Sequence, residues 1–190
     1  MMREIYKIIA FLTLCLLLGR GAVLHAAPQT FNVFSKCTDE NEFECKIYSD
    51  LNGKKSVVLD YAKSPMIKKI NPELFYMKSS CGSPCQIHLF IAPNKEDGTQ
   101  ELIAFDPKSN CLIESDSEKK QIIARKLFSK QKKVIANLKA KEFSVLPSGV
   151  SVYRFFKDES KFDDHSNFTL ILDDFDRPLV TKKITQPCRI

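Results

Sequence analysis

Export combined with an even number of cysteines constrains this chain more than any other feature. Of its 7 cysteines, Cys15 lies inside an apolar leader, and Cys37, Cys45, Cys81, Cys85, Cys111 and Cys188 follow it. Thiols persist as disulfides only in oxidising compartments, so the pattern predicts a disulfide-braced domain that is periplasmic or secreted.

The leader is read from Arg3 and Lys7, which precede a run from Ile8 to Leu18, apolar but for Thr13, that Arg20 stops. A helix needs about 20 apolar residues to span a bilayer, and this run is shorter. Gly19, Gly21, Ala22, Ala26 and Ala27 supply the small residues of a cleavage site. Residues 1–27 are therefore expected to be a cleavable signal peptide and 28–190 a single domain, with no membrane segment after cleavage. The remaining length suffices for a hydrophobic core of its own, so the bridges should brace an interior rather than replace one.

The formal charge is +6, and the leader carries away Arg3, Lys7 and Arg20 against Glu4, leaving a mildly basic domain. That balance suits solubility or an anionic partner and is too weak for a dedicated nucleic-acid binder. With 14 Phe, no Trp and only 6 Gly, the composition describes an ordinary packed interior.

Short apolar runs alternating with turn residues predict strands at 30–34, 43–48, 56–61, 73–78, 86–92, 101–105 and 111–114. Asn52–Gly53 is a favoured two-residue hairpin turn because both positions tolerate positive φ, and Asp97–Gly98 reads as a similar signal. From Ser117 to about Lys141 there is neither Gly nor Pro, and Ile123, Leu127, Val134 and Leu138 recur at helical intervals. This predicts one long amphipathic helix, or two shorter ones. Strands resume at 150–156, 167–173 and 179–184. The expected fold class is α+β, a mostly antiparallel sheet packed against that helix.

The sharpest motif is Cys81-Gly82-Ser83-Pro84-Cys85 between two apolar strands, where Gly and Pro force a tight loop whose ends can reach bonding distance. A Cys81–Cys85 staple at a hairpin tip is expected. Cys37 and Cys45 flank an acidic loop, and elimination pairs Cys111 with Cys188, closing a long loop. Cysteine catalysis finds no obvious base, since His88 and His165 are the only histidines after the leader and His88 sits in an apolar strand. The paired short spacings of a zinc site are absent, and no metal or cofactor is expected. Asp163, Asp164 and His165, then Asp173, Asp174 and Asp176, read as hairpin turns without calcium-loop spacing. Lysines crowd the expected helix, Lys126, Lys130 and Lys133 among them, and would face solvent or an anionic envelope component.

These observations point to a non-enzymatic exported protein that binds another protein, an inhibitor or an immunity protein acting on a periplasmic toxin or an envelope hydrolase. Its contacts are expected at Ser83 and Gln86 on the stapled tip, with Lys126, Lys130 and Lys133 as a second surface. Two alternatives stand beside it: an enzyme or toxin with a site assembled from dispersed Asp and His residues, and an envelope protein that holds polyanions on the lysine-rich helix. Nucleic acid is not an expected partner.

Overall fold

A computed structural model describes residues 29–38, 40–82, 85–144, 153–156, 159–173 and 178–189, with the backbone alone for 153, 154, 173, 178 and 179. The leader, with Cys15, lies outside the described residues, as do Ser83, Asp174 and Asp176. Among the described residues thirteen strands follow one another as antiparallel meanders. The first sheet orders β1 (Phe31–Cys37), β2 (Cys45–Leu51), β3 (Lys54–Asn71), β4 (Leu74–Ser80), β5 (Gln86–Ala92) and β6 (Lys95–Thr99). The second contains β7 (Leu102–Asp106), β8 (Cys111–Asp116), β9 (Gln121–Lys126) and β10 (Lys132–Asn137). After a 3-10 turn at Lys141–Phe143 and a single α-helical turn, α1 (Tyr153–Phe156), the third sheet comprises β11 (Lys161–Phe162), β12 (Phe168–Asp173) and β13 (Pro178–Ile184).

The expected α+β architecture is therefore wrong: the described residues contain no long helix, and the segment from Ser117 to Lys141 is a hairpin built from β9 and β10. The reason lies in its two short runs, Ile122-Ile123-Ala124 and Val134-Ile135-Ala136, each opened by adjacent β-branched residues that favour a pleated surface. Ile122 and Ala124 face one core while Ile123 and Arg125 face the other way, so β9 is buried on both sides and period 2 replaces the helical period. Turn chemistry breaks the would-be helix. Asp116 Oδ1 accepts from the Lys119 N–H at 2.9 Å, and Lys120 and Phe128 take left-handed φ of 55° and 63°.

The 18 residues of β3 organise the first sheet. Its first half, to Ala62, pairs with β2; from Lys63 it pairs with β4, and a register shift between Lys63 and Met66 carries Pro65 where no ladder bond is lost. The sheet folds over at this point. Phe31, Val33, Cys45 and Ile47 from the first half then pack against Phe75, Met77 and Ile91 from the second, with Phe31 and Phe75 edge-on at 5.5 Å. The other face of β4 and β5 carries Leu74, Phe90 and Ala92 onto Leu102, Leu112 and Leu127 of the second sheet. That sheet's far side presents Ile113, Ile122 and Ala124 to Phe168, Leu170 and Leu172 of β12. Four β layers thus enclose three successive apolar seams.

Asn52 and Gly53 form the expected hairpin turn, with φ of 54° and 85°. Asp97 and Gly98 do not turn; they lie inside β6, and the reversal falls at Pro93 and Asn94. Gly98 is needed there for a close approach, since a Cβ would stand 3.2 Å from both the His88 carbonyl oxygen and Leu89 Cδ1. Of the strand expected over 150–156, residues 153–156 form α1 instead and the rest lies outside the described residues.

Candidate functional site

Register places two disulfide-closed loops side by side. Cys37 and Cys45 are the last partners of β1 and β2, Cys45 faces Ala62 across β2–β3, Lys63 faces Ser80 across β3–β4, and Ser80 faces Gln86 across β4–β5. The loops 38–44 and 81–85 therefore emerge at the same end of the folded sheet, separated only by the bend of β3. Each pair is at disulfide distance, with Cα atoms 3.9 Å apart for Cys37–Cys45 and 5.1 Å for Cys81–Cys85. Cys111 and Cys188, with Cα atoms 5.7 Å apart, form the third pair.

Hydrogen bonds close each loop and tie the first to the bend. Thr38 N–H donates to the Glu44 carbonyl at 2.9 Å, closing the first loop, and Cys81 N–H donates to the Cys85 carbonyl at 3.2 Å, closing the second. Between them Ser64 N–H donates to the Glu42 carbonyl at 2.7 Å. Both residues of that contact are left-handed, Glu42 at φ 58° and Ser64 at φ 47°, a conformation that non-glycine residues hold only where surroundings over-determine it. The bend's missing ladder bonds are supplied by buried Ser79, whose hydroxyl accepts from Lys63 N–H at 2.9 Å and donates to the Lys63 carbonyl at 3.0 Å. Gly82, at φ 112°, takes a backbone conformation closed to side-chain-bearing residues.

This braced end exposes an aromatic ring. Phe43 is 47% exposed between Glu42 and Glu44, and Lys63 Nζ stands 4.5 Å from its ring centroid. A ring held at a cation by a fixed loop is a preformed contact rather than a mobile one. The residues expected here divide: Gln86 opens β5, half-buried opposite Ser80, and Ser83 lies outside the described residues. Phe43 was the residue missed; an apolar side chain between acids inside a cysteine-closed loop was the available signal.

The three lysines do not share a face, because the helix that would have aligned them does not exist. Lys126 and Lys133 fall on the Ala124 side of the second sheet, whereas Lys130 lies in the β9–β10 connection beside Arg125 and Glu114. The strongest electrostatics are internal. Arg125, 4% exposed, donates through Nη1 and Nη2 to Asp97 at 2.5 and 3.0 Å and through Nε to Glu114 at 3.1 Å, and Lys132 pairs with Glu114 at 3.1 Å. Burial opposes the guanidinium's charge, but the hydrogen bonds to Asp97 and Glu114 outweigh it and raise the Arg125 pKa above its ordinary value. These contacts join β6 to β8 and β9, so they clamp two layers.

Of the aspartates expected in turns, Asp163 and Asp164 lie in the connection between β11 and β12, whereas Asp173 is the last residue of β12, paired with Pro178. Asp163 accepts from the backbone N–H of His165 and Asn167, both at 2.9 Å, and from Asn167 Nδ2 at 3.0 Å. The Asn167 side chain chiefly lowers its pKa. His88 is buried, with Nδ1 2.7 Å from the Tyr76 hydroxyl. No group of three or more His, Cys, Asp or Glu side chains that could hold a metal occurs among the described residues, and none of their helices is long and apolar enough to cross a membrane. No family model, curated protein or solved structure matches the chain.

Proposed function

We propose that this chain is an exported binding protein that sets its disulfide-braced end against another protein, as an inhibitor of an envelope hydrolase or as an immunity protein against a periplasmic toxin. One observation carries the reading: the Cys37–Cys45 loop is bonded to the bend of β3 between left-handed Glu42 and Ser64, with Phe43 exposed on it, and the register brings Cys81 and Cys85 to the same end of the sheet. Loops fixed before association lose little conformational freedom on binding, and a single aromatic anchor on such a loop can carry much of an interface's energy. Three disulfide pairs suit work in an oxidising compartment. The lysine-rich helix of the polyanion reading has no counterpart in the fold, so that reading loses its scaffold.

The test is capture of a partner from envelope extract with the chain lacking residues 1–27, followed by titration of the purified pair. Phe43→Ala is expected to weaken binding by roughly thirtyfold or more, the loss of one hot-spot side chain. Equal affinity of wild type, Phe43→Ala and a Cys81→Ser/Cys85→Ser variant would place the interface elsewhere and sink the proposal.

A further inference from the structure

The outward face of the second half of the first sheet holds a cross-strand grid that the seam with the second sheet only partly covers. Register sets it out in rows: Met66, Lys78 and His88 share one, and Lys68, Tyr76 and Phe90 share the next. Phe90 is covered by Phe105, with ring centroids 4.6 Å apart, and β6 beyond it is engaged through Asp97 and Arg125. The β3 and β4 columns of the grid remain open. They and the edge strand β7 bound a groove of about 530 Å³, a size in the range of small-molecule sites.

One end of the groove is polar and cationic, the other apolar. Lys68 and Lys78 are diagonal neighbours across β3–β4, which places their backbones about 7–8 Å apart, and like charges so placed repel. Neither forms an ion pair with a carboxylate among the described residues. Beneath them lies the Tyr76 hydroxyl bonded to His88 Nδ1 at 2.7 Å. Burial pushes the phenol up to about 12, so it stays protonated. Towards Ile70, Phe105 and Leu102 the lining is apolar. From Met66 to Ile70 the strand covers roughly 13 Å at about 3.3 Å per residue.

We infer that this groove binds a monomeric single-chain amphiphile with an anionic head, the head between Lys68 and Lys78 above the Tyr76–His88 pair and the chain against Phe105 and Ile70. Charge complementarity selects the sign of the head: an anion relieves the lysine repulsion, whereas a cationic head adds to it. The apolar end selects against small hydrophilic anions, which would leave Phe105 and Ile70 uncovered. The site is separate from the Phe43 end and neither supports nor requires the partner proposed there.

Titration calorimetry of the chain lacking residues 1–27 with dodecanoate below micelle formation tests this, beside dodecyltrimethylammonium, acetate and phosphatidylglycerol vesicles. One saturable dodecanoate site is expected, with dodecyltrimethylammonium and acetate each at least about tenfold weaker. Lys68→Gln/Lys78→Gln should weaken dodecanoate about tenfold, the loss of its charge-assisted contacts. Met66→Glu, at a position 54% exposed and so harmless to folding, should weaken dodecanoate but not the cation. Thermal melts of both variants matching wild type keep the result interpretable, and dodecanoate should shift the His88 ring resonances. Absence of saturable dodecanoate binding, equal affinity for the cationic amphiphile, affinity unchanged in both variants, or binding to the vesicles alone would each overturn the inference.

Discussion

The two halves of the molecule use the same covalent bond for different ends. Cys37–Cys45 and Cys81–Cys85 span sequence separations of 8 and 4, and Cys111–Cys188 spans 77. In the chain-entropy account the short bridges stabilise by about 2–2.5 kcal/mol each and the long one by about 4.5 kcal/mol, because the long loop restricts the unfolded chain more. Location follows length in part: Cys111 and Cys188 are both buried in the seam between the second and third sheets, whereas each short bridge has one exposed end at the rim of the first, Cys37 opposite buried Cys45 and Cys81 opposite half-buried Cys85. The long bridge holds layers together, and the short ones hold a surface in shape.

Breaking the bridges separately tests that division and gives the largest effect. A Cys111→Ala/Cys188→Ala variant should lose about 4–5 kcal/mol in urea unfolding. Cys81→Ser/Cys85→Ser should lose only about 2 kcal/mol, yet its amide hydrogen exchange at Cys81 and Gly82 should accelerate while β8 amides keep their relative protection. Equal losses from the two variants would erase the comparison.

The noncovalent clamp comes next. Arg125→Met removes a buried guanidinium from Asp97 and Glu114, leaving among the described residues the Phe128 N–H on Asp97 and Lys132 as the one cation, beside Glu114. The expected cost is about 3–4 kcal/mol in the same unfolding measurement, since breaking a buried pair leaves its partner charge uncompensated. A cost under about 0.5 kcal/mol, the scale of an exposed substitution, would mean that the seam is held by Leu102, Leu112 and Phe90 alone.

How far these features were legible in the sequence depends on their range. Asn52–Gly53 declares its turn locally, and Cys81 to Cys85 declares its loop, because in each case the chemistry lies within a few residues. The β9–β10 hairpin failed for a physical reason: Ile123, Leu127, Val134 and Leu138 fit a helical period by coincidence, while burial of β9 on both faces, which only tertiary structure supplies, decided the outcome. Likewise the meeting of the two small loops depends on β3 changing partner at Ala62–Lys63. No local pattern encodes that Glu42 will bond to Ser64. The Asp97–Arg125–Glu114 clamp was hidden in the same way, Asp97 reading as a turn residue until β6 carried it into the seam.

The smallest effect examines how the buried end of the long bridge is positioned. Asp106 is the register partner of Cys111, and its carboxylate accepts from Ser109 Oγ at 2.5 Å and from the Lys108 N–H at 3.0 Å. Burial raises its pKa, but hydrogen bonds from Ser109, Ser166 and the backbone of Lys108 and Ser109 together outweigh that and lower it below the ordinary value. A carboxyl whose pKa falls on folding adds stability that is complete above its unfolded pKa, near 4, and is lost as pH falls through the folded value. Asp106→Asn should therefore cost about 1–2 kcal/mol at neutral pH, and the gap from wild type should narrow below about pH 4. Repeating the pair without the Cys111–Cys188 bridge closes a double-mutant cycle. A coupling near zero would show that the carboxylate orders its turn independently of the disulfide; a coupling above about 0.5 kcal/mol would show that Asp106 holds Cys111 where Cys188 can reach it, making the long bridge depend on a hydrogen-bonded turn as the short ones depend on the bend of β3.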